Sequence, residues 1–145
     1  MAGNTSPIYS RRGQVATNGT TGMSSTPILT ATADYTGVSV NHVLVFTADA
    51  TNGSYVQRLR FKAIGTNIAT VARVYWNNGS APTSAANNAF FGEISLPATT
   101  ASSTAATAEV DYPVGVALPA GFRVYVGTVT TIASGWIVTA VAGDY

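Results

Sequence analysis

The chain has 145 residues, a net charge of +1, no cysteine and one histidine, His42. That length fits one domain able to bury a core without staples, and the lack of cysteine excludes disulfides, thiolate nucleophiles and cysteine-ligated metals. Charged residues are 9% of the chain, against roughly 25% in an ordinary soluble domain, so the surface suits a subunit covered by neighbours better than a free monomer and makes no electrostatic case for a polyanion partner.

Residues 1–25 are rich in Gly, Ser, Thr and Asn, with scattered apolar residues at Ile8, Tyr9, Val15 and Met23. Such a segment cannot bury enough surface alone to offset its ordering entropy. It reads either as a loose terminus or as an extended arm that orders on a neighbouring subunit, with Ile8 and Tyr9 as the apolar anchor and Arg11 and Arg12 beside them. No apolar run follows the two arginines, so no secretory signal is expected. No stretch of about 18 apolar residues offers a membrane span, and synthesis in the cytoplasm is expected.

From residue 26 to 145 the pattern is period-two alternation, which predicts strands. Thr26 to Ala33 is a short β-type run whose Pro27 marks an edge. Val38, Val40, His42, Leu44 and Phe46 alternate with their neighbours up to Thr47. In Tyr55 to Ala63, the side chains of Leu59, Phe61 and Ala63 oppose Arg58, Arg60 and Lys62. Ile68 to Trp76, Ala89 to Leu96, Ala106 to Tyr112, Phe122 to Val129 and Trp136 to Ala142 follow, making about eight strands. Asn52-Gly53, Asn78-Gly79 and Leu118-Pro119-Ala120-Gly121 are turn signals between them. The alanine-rich stretch from Ala98 to Ala108 is broken by Ser and Thr and reads as a loop. Eight short strands with turns predict a β-sandwich or barrel. A jelly roll is the specific expectation, with another Greek-key sandwich open.

Catalytic sets are poorly represented. No Gly-x-Ser-x-Gly elbow accompanies His42, which the alternation places mid-strand with Leu44 and Phe46, so a structural or contact role is expected for it. Glu109 and Asp111 share a strand face roughly 6–7 Å apart, but with Glu93 they suit a polar face as well as a glycosidase pair. Asp49, Asn52 and Asp34 lie at turns without a calcium-loop pattern, and turn capping is the expected role. Lys62, the one lysine, lies in a strand and not in a phosphate loop. No cofactor, metal or catalytic residue is expected. The Asn-x-Ser/Thr triplets at Asn4, Asn18, Asn52 and Asn78 read as turns.

The clear charge feature is the row Arg58, Arg60 and Lys62, which Arg73 extends if its strand pairs alongside. A nucleic-acid site would want more cations and interleaved aromatics. The row reads as a solvated strand face or as a contact with an acidic protein surface, because arginine pairs bidentately with carboxylates. Glu93, Glu109 or Asp111 of a sister subunit are candidate partners.

The opening Met-Ala-Gly-Asn-Thr-Ser-Pro-Ile-Tyr, the block Gly53-Ser-Tyr-Val-Gln-Arg-Leu-Arg-Phe-Lys-Ala, the Asn77-Asn78-Gly79 turn, Leu118-Pro119-Ala120-Gly121, Gly135-Trp136 and the final Gly143-Asp144-Tyr145 resemble small virion structural proteins of tailed bacteriophages. The nearest characterised class that the chain is similar to is the capsid decoration, or cement, protein. The resemblance implies a small β-rich domain, often a jelly roll, that sits as a trimer or dimer outside the head, bridges capsomers and reaches over the shell with an N-terminal arm. The resulting expectation is a structural virion protein on the capsid exterior, made in the host cytoplasm. Its partners would be the major capsid protein and copies of itself, with a trimer expected and no membrane or nucleic-acid partner. The contact residues would be Ile8, Tyr9, Arg11, Arg12, Arg58, Arg60 and Lys62. The alternative is a head or tail fibre module that binds host glycans through aromatics such as Tyr75, Trp76, Phe90 or Tyr125, although the alternation assigns Trp76 and Phe90 to a core.

Overall fold

The computed structural model describes residues 12–17, 20–21, 27–29, 33–38 and 41–145. Among them run nine strands: β1 (Arg12–Thr17), β2 (Thr20–Thr21), β3 (Val43–Thr47), β4 (Ser54–Ala63), β5 (Thr70–Asn77), β6 (Asn88–Leu96), β7 (Glu109–Leu118), β8 (Arg123–Thr128) and β9 (Trp136–Asp144). The one helical element among the described residues is a 3₁₀ turn at Ala85–Asn87. All pairings are antiparallel, in two sheets ordered β2-β1-β9-β4-β7 and β3-β8-β5-β6. From β3 onward the chain changes sheet at every connection except the β5–β6 hairpin. With the two-residue β2 set aside, two four-stranded sheets of this order make a jelly roll, so the sandwich predicted from alternation is the fold observed.

The strands form where alternation meets a partner on each side. In β4, Leu59, Phe61 and Ala63 are fully buried while Arg58 and Arg60 face solvent. A bulge between Val56 and Arg58, opposite Pro113 and Val116 of β7, shifts the parity so that Val56 also points inward. Ala72 and Val74 of β5, Val124 and Val126 of β8, and Trp136, Val138 and Ala140 of β9 complete the core between the sheets.

Four expectations about the strands differ from what is observed. Of the run Thr26 to Ala33, the described residues 27–29 and 33 contribute one bridge, Ile28 to Trp136, and no strand. In the run from Val38, the described strand begins at Val43, and His42 lies in the connection before it. A bulge between Leu44 and Phe46 sends Phe46 into the core while Leu44 pairs with Tyr125. The run Ala106 to Tyr112 starts later, at Glu109, and continues through Pro113 and Gly115 to Leu118. That is possible because β7 is an edge strand, where a missing N–H breaks no ladder on its open side. Finally, Arg12–Thr17, inside the stretch read as an arm, pairs along β9 from Arg12–Asp144 to Thr17–Thr139. Its sequence carries little apolar signal, and the free edge of β9 supplies the template.

Candidate functional site

The basic row lies where alternation places it, on the outer face of β4, but its cations already have partners within the chain. Arg58 and Arg60 pair with Asp111 and Glu109 of the neighbouring β7, the former at 3.8 Å, and the Lys62 ammonium donates to the Thr107 carbonyl at 2.7 Å. The Arg60 guanidinium holds the Glu109 carboxyl below the usual carboxylate range. The acids considered as a sister subunit's partners are thus intrachain partners. Arg73 does not extend the row, because the β4–β5 connection crosses to the other sheet. There its guanidinium meets Glu93 at 3.1 Å, donates to the Ala33 carbonyl at 2.8 Å and covers the ring of Tyr35 at 3.9 Å. Of the other contact candidates, Ile8, Tyr9 and Arg11 lie outside the described residues, and Arg12 begins β1.

A second surface lies along the side of the sandwich where β6 and β7 are both sheet edges. Phe91 and Ile94 of β6 and Val110, Tyr112, Val114 and Val116 of β7 point toward the core yet stay only partly buried. Trp76 packs tilted against Phe91 (ring centroids 4.3 Å apart), and Phe91 meets Tyr112 edge-on at 6.1 Å. The Tyr112 hydroxyl reaches across to Gly92, where a Cβ would lie 2.1 Å from it. From Tyr112 to Leu118, β7 carries no charged residue.

The third surface is the outer face of the β3-β8-β5-β6 sheet. Tyr75 and Tyr125 are directly paired there, and Tyr75 is fully buried because Asp34, Gly37 and His42 lie against it. The register of β6 shifts between Val74 and Tyr75 of its partner, so Phe90 faces outward and Phe91 inward. Phe90 is therefore not a core residue, contrary to the alternation. It is 38% exposed beside Tyr35, 62% exposed, with the rings edge-on at 5.3 Å. Trp76 does face inward.

The loops use their polar groups internally. The Asp49 carboxylate caps the amides of Thr51 and Asn52 at 3.0 and 2.8 Å, and Asp34 caps Thr36 and Gly37 at 2.9 Å, which is the turn-capping role expected of them. Buried Asn67, which the sequence reading passed over, ties three loops together through Thr99, Ser134 and Gly135. An asparagine just before a predicted strand gives no local sign of that. The hollow of about 510 Å³ lined by residues 69–71, 95–97, 129 and 130 is open and holds no titratable side chain. Glu93 stands on the opposite sheet from Glu109 and Asp111. No group of three or more His, Asp or Glu side chains that could hold a metal occurs among the described residues.

Comparison with known proteins finds no matching family model, curated protein or solved structure.

Proposed function

We propose that the chain is a structural component of a virus particle, a capsid decoration protein that binds the outside of a phage head and stabilises it. The observation that carries this reading is how the scarce charge is spent. Six charged side chains are used in three intrachain pairs, while the β6–β7 side keeps partly covered aromatic and aliphatic groups beside the uncharged Tyr112–Leu118 part of the β7 edge. A surface of this kind lowers its free energy when covered. Copies of the chain would meet along that side around a rotation axis, as most homo-oligomers do, with a trimer as the working number. Pro113 and the positive-φ Gly115 interrupt the β7 edge, which favours side-chain packing over open-ended strand addition.

The shell contact would use residues 1–12, with Ile8, Tyr9, Arg11 and Arg12, and the row Arg58, Arg60 and Lys62 as a polar rim. Each contact is weak, and repetition over a symmetric shell multiplies them. The mechanism is mechanical: a clamp across capsomer boundaries raises the cost of separating them under the outward push of packaged genome. Particles lacking the protein should rupture at lower temperature and milder osmotic shock than complete ones. Equal survival of both would overturn the proposal.

One observation favours a second reading, a glycan-binding fibre module: the exposed Tyr35–Phe90 pair offers ring faces on which sugars stack. Specific binding on a glycan array, lost in Tyr35→Ala and Phe90→Ala, would select this reading over decoration.

A further inference from the structure

We propose that residues 33–38 and 41–42 form an acid-releasable strap over the outer face of the β3-β8-β5-β6 sheet, latched by His42. The strap is fastened at several points. The Ala33 amide donates to the Thr128 carbonyl at 3.2 Å, and Arg73 donates to the Ala33 carbonyl. The Tyr75 hydroxyl donates to the Asp34 carbonyl, and the Asn88 amide group donates to the Gly37 carbonyl at 3.2 Å. Gly37 has φ +71°, and a Cβ there would lie 2.9 Å from the Tyr75 ring, so the strap lies directly on that ring.

The latch is the imidazole. It stacks on Tyr75 with ring centroids 4.4 Å apart and planes 22° apart. Its Nδ1 is 3.1 Å from the Gly37 carbonyl oxygen. A carbonyl only accepts, so Nδ1 carries the proton and Nε2 holds the lone pair. Nε2 is buried without a hydrogen-bond partner and lies over β8 at Gly127, where a Cβ would come within 2.9 Å of it. A proton added at Nε2 would bring a charge and a donor to a place with no acceptor. The charged and titratable groups around it do not compensate. Asp34, on the strap, turns its carboxylate to the Thr36 and Gly37 amides and the Thr36 hydroxyl. From β5 come Tyr75 and Arg73, the latter committed to Glu93 of β6; β8 presents Tyr125 and Gly127, and β3 adds no charge.

Burial accordingly holds the His42 imidazole below its ordinary value of 6.5, against smaller opposing effects of the Gly37 carbonyl and the Asp34 charge. Once released into water the ring titrates normally. Acid therefore draws the strap open: stability is complete above the ordinary value and declines as pH falls below it, until the latched imidazole is itself protonated. With the latched ring unprotonated, the open population grows up to about tenfold between pH 7.5 and 5.5. Asp34 stays outside this window, because the Thr36 hydroxyl and the two amides hold its carboxyl below 3.8. Opening bares Tyr75.

Hydrogen exchange of the full chain over residues 33–42, corrected for intrinsic rates, tests this, together with ¹⁵N titration of the one histidine. The expected result is an imidazole titrating below 6.5 and strap opening up to about tenfold greater at pH 5.5 than at 7.5. His42→Asn, which can still donate to Gly37, should show no such rise. A wild-type imidazole titrating at or above 6.5, or equal strap protection at both pH values, would overturn the proposal. The two wild-type measurements decide the matter even if the variant does not fold.

Discussion

Replacing Asn67 with alanine removes a side chain that three connections share. Asn67 is 3% exposed. Its Oδ1 accepts from the amides of Ser134 at 3.0 Å and Gly135 at 2.7 Å, and its Nδ2 donates to Thr99 Oγ1 and the Gly135 carbonyl, both at 3.2 Å. Thr99 in turn donates to the Gly65 carbonyl at 2.9 Å. The methyl of alanine satisfies none of these groups. A buried donor left unpaired costs about 1–3 kcal/mol. The Gly135 amide bears that cost in full, whereas the half-buried Ser134 can recover part of it from water. The expected loss is about 2–4 kcal/mol, a fall in Tm of about 5–15 °C for a domain of this size, read from circular-dichroism melts. Asn67→Asp keeps the acceptor but replaces the donor with a charged oxygen facing two others, so its deficit should shrink when the carboxyl is protonated at low pH. An Asn67→Ala midpoint within about 2 °C of wild type, as for an ordinary surface change, would refute the reasoning.

Gly53→Ala and Gly121→Ala separate backbone strain from collision. Both residues have positive φ, but a Cβ at 53 would lie 2.3 Å from the Leu118 carbonyl oxygen, whereas none would be met within 4 Å at 121. Gly121→Ala should cost about 1–2 kcal/mol and Gly53→Ala clearly more, as compared by urea denaturation. Gly92→Ala should destabilise by driving its methyl against the Tyr112 hydroxyl, and Tyr112→Phe should largely rescue it. An additive double-mutant cycle would contradict the described packing of β6 against β7. Arg60→Ala should leave the melting midpoint nearly unchanged at neutral pH, because the pair with Glu109 is open to water. It should let the Glu109 carboxyl titrate higher, as followed by ¹³C NMR.

What could be read from the sequence followed the physics of alternation. In β4 the apolar residues Leu59, Phe61 and Ala63 and the basic residues Arg58, Arg60 and Lys62 separate cleanly, because the strand is paired on both sides and covered on one. Alternation failed where one residue breaks the period: the β6 bulge puts Phe90 on the opposite face from Ile94, and another in β3 parts Leu44 from Phe46. Pro113 and Gly115 concealed the second half of β7, since an edge tolerates what a central strand does not. Which strand neighbours which is tertiary information, so Arg73 could not be kept out of the basic row, nor Glu109 and Asp111 recognised as its intrachain partners. His42 was read as mid-strand because it alternates with Leu44 and Phe46, whereas it packs on Tyr75 from the connection before β3.

The copy number and position of the protein in purified particles test the central claim most directly, by quantitative mass spectrometry together with cryo-electron microscopy of the head. The decoration account predicts copies in numbers comparable to the major shell protein, arranged as symmetric clusters on the outer surface. Absence from the particle, or a few copies confined to the tail, would contradict it.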